Sequence, residues 1–383
     1  MEQPGGGDPV SCQEIVFLKS TESAALRDYT TLRLGGVAAR LVTAATDEQL
    51  VSVVRAADAA AEPVLVLGGG SNLVVADEGF PGTVVRVASA GVQLVRDRGS
   101  VEVTVAAGED WDGLVQRCIA EGLSGIECLS GIPGLTGATP IQNVGAYGQE
   151  VAQTVEAVRV YDRLRDEILA MPAADCCFDY RTSVFKRRAT IGPGAALNPA
   201  SATGRWVVLS VRLRLAADRL SAPVRYAELA KVLDVAEGCR VPLAEARAAV
   251  LGLRRGKGMV LDPADPDTRS AGSFFTNPIV PATQFASLQA TVEAPIPHWP
   301  AADEQVKLSA AWLIEHSGFG KGFRLSDDPD GARISTKHTL ALTNPGNATT
   351  AGLVRLARGV RDGVLRQFGV ELANEPVLVG VEL

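Results

Sequence analysis

Residues Gly125–Gly148 read GIECLSGIPGLTGATPIQNVGAYG, and the reading of this stretch decides the fold. From Ser130 to Gly148 it holds five glycines and two prolines and no charged side chain. A polar-surface loop of that length ordinarily carries Asp, Glu or Lys, and long loops inside compact domains are usually functional. Small side chains and free backbone amides suit the wrapping of a large, flat, mostly neutral group. An isoalloxazine ring fits that description; an ordinary long surface loop is the plainer alternative.

Working outward, VEVTVAAG and VEAVRVYD read as strands on either side, with the helix EDWDGLVQRCIAEG leading into the loop. Further upstream, Thr46 and Gln49 have capping-box spacing at the head of an Ala-rich amphipathic helix that Pro63 ends. PVLVLGGG follows as a buried strand, Val64 to Leu67, running into Gly68-Gly69-Gly70-Ser71-Asn72. This glycine loop is a poor Rossmann site. Its third glycine is missing, and LVVA continues as a strand where a helix should offer its N-terminus to a pyrophosphate. A strand–loop–strand instead exposes successive N–H groups as an anion nest, and a simple tight turn is the bland alternative.

Downstream, WVVLSVRLRLA reads as a strand, and the segment from Leu215 to Pro223 as a domain boundary. Helices are predicted from Tyr226 to Val235, from Leu243 to Arg255, over KLSAAWLIEH, and from Thr350 to Phe368 with Gly369 as its stop. PVLVGVEL closes the chain as a short strand region. No internal repeat is present.

The bulk properties narrow the partners. A net charge of -7 over 383 residues argues against a nucleic acid or an anionic membrane surface as the main partner. No apolar run is long enough to span a membrane. The N-terminus has neither the basic nor the apolar region of a signal peptide. Six cysteines (Cys12, Cys118, Cys128, Cys176, Cys177 and Cys239) form no CxxC pair and no metal-ligand spacing with histidine. Free thiols in a reducing cytoplasm are expected, with no metal. The three histidines, His298, His316 and His338, all come late.

PVLVLGGGSN, AGEDWDGLV and GIPGLTGATPIQNVGAYG, in that order and spacing, resemble the UDP-N-acetylenolpyruvoylglucosamine reductase family, and the resemblance extends from about Tyr29 to the C-terminus. It implies an α+β chain with a two-subdomain FAD-binding fold of the vanillyl-alcohol-oxidase type and a separate substrate-binding domain. On that division, residues 1–28 are a tail and lead-in, 29–219 the FAD-binding domain (subdomains about 29–87 and 88–219), 220–368 the substrate-binding domain, and 369–383 a C-terminal segment. The resemblance further implies non-covalent FAD, NADPH as electron donor, a sugar-nucleotide substrate and a cytoplasmic monomer. Gly68, Gly69, Gly70, Ser71, Asn72, Gly131, Pro133, Gly134, Gly137, Ala138, Gln142, Asn143, Gly145, Ala146 and Tyr147 would line the cofactor.

Reduction of an enolpyruvyl ether by a flavin N5 hydride needs a proton at C2 and electrophilic help at the carboxylate. FDYRTSVFK matches the family motif at Tyr180, Arg181, Ser183, Phe185 and Lys186, and the guanidinium of Arg181 suits a carboxylate fork. Without the family it reads as an ordinary ion-pair arginine. In SAGSFFTNP the family's proton donor falls on Ser273, otherwise a turn serine. In ELANEPVLVG its acid falls on Glu375, although Asn374 stands where the family has proline; Glu371 is the alternative. A carboxyl group near a substrate carboxylate would be driven toward its protonated form. The cations of LRRGKG, Arg254, Arg255 and Lys257, otherwise read as helix C-terminal charge. The family alignment puts a substrate lysine on Lys257, a substrate asparagine on Asn277 and a closing tyrosine on Tyr226; the diphosphate of a sugar nucleotide needs cations, for which Arg254 is a further candidate, and Tyr180 is expected to meet the substrate as well. Trp299 and His338 stand where relatives have tyrosine and glutamine.

Two other readings compete. An oxidase on the same flavin fold often attaches FAD to a histidine, and this chain has none before His298. A non-catalytic sugar-nucleotide sensor would lack the trio Arg181, Ser273 and Glu375, all of which are present.

Overall fold

The computed structural model describes residues 20–186, 198 and 200–383. Residues 1–19, with Cys12 and most of the expected tail, lie outside the described residues, as do 187–197 and 199. The strand Ser20–Ala25 falls within the expected lead-in but pairs antiparallel with Val37–Ala44, so the first sheet already begins there. That sheet runs in the order Ser20–Ala25, Val37–Ala44, Phe80–Val87, Val64–Leu67, its last three strands parallel. Helix Asp47–Ala59 packs on it through Leu50, Val51, Val53, Val54 and Ala57. Thr46 Oγ1 accepts from the Gln49 N–H, and Gln49 Oε1 accepts from the Ala45 N–H, which satisfies two donors the helix start would otherwise leave open.

A larger antiparallel sheet follows, in the order Glu167–Pro172, Val155–Asp162, Trp206–Ala217, Ser100–Ala106, Val92–Asp97. In Ser100–Ala106, Val101, Val103 and Val105 are buried, the period of two that a half-buried strand requires. The helix Trp111–Ala120 is capped by Asp110, whose carboxylate accepts from the Gly113 N–H. Trp111 is fully buried, and its indole N–H donates to the Leu129 carbonyl at 3.2 Å, which pins the entry to the glycine-rich loop. Cys118, Cys128 and Cys176 are free buried thiols that burial pushes up to about 12, too high for thiolate chemistry.

The third core gathers two three-stranded sheets around the helices Ala310–His316 and Thr350–Phe368. The first helix starts later than KLSAAWLIEH suggested. Lys307 and Leu308 belong to the strand Gln305–Leu308, and Ser309 caps the helix by accepting from the Trp312 N–H. The second keeps its expected bounds between the Thr349 cap and Gly369, which adopts φ 64°.

Two connections set up the site. The helices Ala227–Leu233 and Leu243–Gly256 pack through Leu229, Ala230 and Val250 on Cys128 and Tyr147, hence on the glycine-rich loop rather than on the third core. The strand Val377–Val379 pairs parallel with Leu73–Val75, which brings the C-terminal segment beside the first glycine loop. Among the described residues no helix is long and apolar enough to cross a membrane.

Candidate active site

The two glycine loops meet face to face. A β-carbon on Gly69 would lie 2.8 Å from Gly134 Cα, a distance real side chains do not reach. Glycine is therefore required for the loops to close around one cavity of about 270 Å³. Gly68, Gly69, Gly70, Ser71, Asn72, Pro133, Gly134, Ala138, Gln142 and Gly145 line it. A second cavity of about 180 Å³ shares Val66, Gly68, Leu73, Leu135 and Lys186 with the first and adds Gly137, Phe185, Thr203 and Trp206. The two together fall within the roughly 300–1,000 Å³ typical of cofactor sites. Asn72 Nδ2 donates to Gln142 Oε1 at 2.6 Å and so ties one loop to the other.

One wall of the larger cavity carries Arg181, Ser273 and Glu375, with Lys186 beside them. Arg181 sits in the left-handed region at φ 55°. Its Nη2 donates to the Gly145 carbonyl at 2.7 Å, and its Nε lies 3.3 Å from Glu375 Oε1. The glycine at 145 leaves room for this, since a β-carbon there would stand 2.9 Å from Arg181 Nη1. The Glu375 N–H donates to the Phe274 carbonyl at 2.9 Å, next in sequence to Ser273. Ser273 follows Gly272, at φ 74°, and ends the strand Ser270–Ser273. Burial raises the Glu375 carboxyl above its ordinary range, and Arg181 and Lys186 work against that. Burial likewise lowers the Lys186 ammonium; Glu375 opposes the shift and Arg181 reinforces it. Glu371, by contrast, is exposed.

A second cluster forms on the third core. The Tyr180 hydroxyl accepts from the Asn277 N–H at 3.4 Å, and Asn277 Oδ1 accepts from the Ala310 N–H at 3.0 Å. Lys307 Nζ lies 4.8 Å from the Tyr180 ring centre and 5.9 Å from that of the half-exposed Trp299.

A third cluster caps the glycine-rich loop. The Tyr147 and Tyr226 rings meet edge to face at 5.4 Å, Lys257 Nζ stands 5.8 Å from the Tyr147 ring, and it pairs with Glu228 at 2.5 Å. His338 Nδ1 accepts from the Leu340 N–H at 3.3 Å, which leaves the proton on Nε2 as a donor. Burial first, and then the cations Lys257, Lys321 and Arg254, lower this imidazole to about 4; Glu228 opposes them. It is neutral at ordinary pH and offers one N–H, as a glutamine amide would.

Comparison with known proteins bears on this arrangement. Residues 38–168 match the family model described as an FAD binding domain, and residues 263–379 match the C-terminal domain of UDP-N-acetylenolpyruvoylglucosamine reductase. A reductase of that name from Thermobifida fusca (strain YX) is 56% identical over 365 residues, covering 94% of this chain and 97% of that one. One from Salinispora arenicola (strain CNS-205) is 57% identical over 364 residues, covering 94% and 95%. This chain belongs to the UDP-N-acetylenolpyruvoylglucosamine reductase family. The crystal structure of the reductase from Thermus caldophilus superposes with a TM-score of 0.60 at 28% identity, covering 94% of this chain and 99% of that one. The α+β class and the two-subdomain FAD-binding fold expected from the sequence hold.

The residues present fit the cofactor of a reductase in this family. The cradle is open only because Gly69 and Gly134 lack side chains. Arg254, which lines the larger cavity, is a buried guanidinium whose Nε has no partner. Burial lowers it to about 10, so an anionic or carbonyl group brought into that cavity would relieve a real cost.

Four residues expected to line FAD lie outside both cavity walls. Gly131 donates its N–H to Asp112 and packs under Leu251. The Asn143 side chain is taken up by Glu150 and by the backbone of Asp179 and Ala152, so it braces the loop. Ala146 pairs with Gln149 across a two-residue ladder. Tyr147 turns away from the cavities and packs beside Cys128 and Leu229, facing Tyr226 and Lys257. Sequence reasoning gave no role to Lys186, Glu228 or Lys307. Only Lys186 left a signal, as the last residue of the FDYRTSVFK motif.

Proposed function

We propose that this chain catalyses the NADPH-dependent, FAD-mediated reduction of the enolpyruvyl group of UDP-N-acetylglucosamine enolpyruvate to UDP-N-acetylmuramate, in the making of peptidoglycan precursors. The observation that carries this is the convergence of Arg181, Ser273 and Glu375, from three distant segments, on the cavity the two glycine loops enclose. When bound, FAD supplies hydride transfer between NADPH and the enolpyruvyl carbon. Arg181 holds the substrate carboxylate by its planar fork and stabilises charge as it develops there. Glu375, already raised by burial, keeps its proton more firmly once a substrate carboxylate arrives and donates a hydrogen bond to it. Ser273 delivers the proton to C2.

Lys257, Tyr226 and the Nε2–H of His338 hold the diphosphate side of the substrate, with Arg254 between them and the cofactor cavity, while Tyr180, Asn277 and Trp299 meet it from the third core. Residues 29–219 serve as the FAD-binding domain, 220–368 as the substrate-binding domain, and 369–383 return Glu375 to the site. The protein works as a monomer in the cytoplasm. Anaerobic stopped-flow spectroscopy tests the reading: NADPH bleaches the flavin band, and the enolpyruvyl sugar nucleotide restores it. Reduced flavin that ignores this substrate but reacts rapidly with oxygen would make the chain an oxidase instead.

A further inference from the structure

We propose that Lys186 is a positioning residue, which cross-links the backbone carbonyls of Arg181 and Glu375 and shares the charge of that pair. The proposal rests on the reductase reading above. Its basis is a set of bonds that meet at one ammonium group. Ser183 Oγ donates to the Ile141 carbonyl at 2.6 Å and accepts from the Phe185 N–H at 3.2 Å. Buried Phe185 packs into the core of the larger sheet. This turn carries Lys186 back over Arg181, and its Nζ donates to the Arg181 carbonyl at 3.2 Å and to the Glu375 carbonyl at 3.1 Å.

Those two carbonyls belong to residues whose side chains face each other, Nε to Oε1, at 3.3 Å. Glu375 is held at two further points. Its carbonyl also accepts from Asn72 Nδ2 at 3.5 Å, and its N–H donates to the carbonyl of Phe274. Among the described residues, Lys186 is thus the one side chain that touches both members of the pair through their main chains, and it reaches from the FAD-binding region to a segment 189 residues away.

The charge matters as well as the bonds. Among the described residues, the charged or titratable groups around Glu375 are Arg181, Lys186 and the Tyr180 phenol, with the Ser273 hydroxyl on the facing strand. Burial drives the Glu375 carboxyl up, and Lys186 is one of two cations that restrain it. A lysine that merely braced the backbone would affect stability alone. A lysine that shares the charge also fixes where Glu375 gives up its proton.

The test uses FAD-loaded full-length protein with Lys186→Met, which keeps the stem but loses donors and charge, and Lys186→Gln, which keeps a donor but not the charge. Lys186→Met should slow flavin reoxidation by the enolpyruvyl sugar nucleotide by about tenfold to a hundredfold, the worth of charge-assisted hydrogen bonds. In both variants the alkaline limb of that half-reaction should move up by about one pH unit, because Glu375 has lost a nearby cation. Infrared difference spectra, with Glu375→Gln assigning the protonated-carboxyl band, should show the same displacement without any turnover. If Lys186→Met does not bind FAD, Lys186→Gln carries the measurement. An alkaline limb and a carboxyl band that both stay at the wild-type pH overturn the proposal. Wild-type enzyme that the sugar nucleotide does not reoxidise overturns the reductase reading instead, and the infrared titration still decides the role of Lys186.

Discussion

His338 should make folding stability depend on pH in a defined window. Its imidazole is lowered from 6.5 to about 4 by burial and by Lys257, Lys321 and Arg254. That displacement is worth up to about 3 kcal/mol. Between those two values the unfolded chain binds a proton on this ring and the native protein does not. Stability from this group is therefore complete above pH 6.5, falls as the pH is lowered through the window, and levels off below about 4. His338→Gln keeps an N–H donor and removes the titration. Denaturant unfolding of wild type and variant, followed from about pH 4 to about pH 7.5, gives a difference curve free of the carboxylates, which titrate in both. The difference should change by about 2–3 kcal/mol across that range. NMR titration of the three imidazoles, with the variant assigning His338, gives the value directly. Parallel stability curves, or a His338 resonance that titrates near 6.5, would refute the reasoning.

Other perturbations separate the parts of the site. Ser273→Ala should leave flavin reduction by NADPH near wild type and slow reoxidation by substrate by about 10²–10⁴-fold, the range of a lost general acid; equal slowing of both half-reactions rules out the proton-donor role. Gly145→Ala places a β-carbon 2.9 Å from Arg181 Nη1. The same β-carbon would lie 2.8 Å from Glu150 Cγ and 2.9 Å from the Gln149 carbonyl oxygen, so the variant should lose about 1–3 kcal/mol of stability in denaturant unfolding, and an unchanged stability contradicts this close packing. Lys257 is held by Glu228 with side chains 32% and 40% exposed, and an incoming diphosphate has to displace that carboxylate. Exposed pairs are worth about 0.2–1 kcal/mol, so Glu228→Gln should lower KM for the sugar nucleotide by no more than about fivefold; a KM that stays level or rises goes against the exchange.

Elements whose reasons are local were legible in the sequence. The strands Val64–Leu67 and Val155–Asp162 and the helix Thr350–Phe368 were bounded by proline, glycine and apolar period, and they fall where those signals put them. KLSAAWLIEH misled because its helical period runs back into Lys307, which pairs with Ile279 and Trp299 on either side, and Leu308, which pairs with His298. The helix Ala282–Gln289 and the strand Val92–Asp97 went unread, since the one buries only Leu288 and the other buries no residue fully. At the site, the glycine loops announced a cofactor but not which residues face it. Asn143 and Tyr147 look alike in the motif, yet one is consumed by loop bracing and the other packs against the helix pair beside Tyr226. The pairing of Arg181 with Glu375, and the place of Lys186 between them, depend on segments that only the assembled topology brings together.

The parallel ladder between Val377–Val379 and Leu73–Val75 also constrains how the protein is made. Asn72 and Glu375, which that ladder sets side by side, are 303 residues apart in sequence. The first glycine loop thus emerges from the ribosome long before the strand that completes its edge. Until that strand arrives, Leu73–Val75 presents unpaired backbone to its surroundings, as an open strand edge does. Loop closure over so long a separation is among the slower events in folding. Occupancy of the glycine cradle should then be acquired after synthesis rather than during it, and a chain shortened before Glu375 would lose its hold on the cofactor together with its acid.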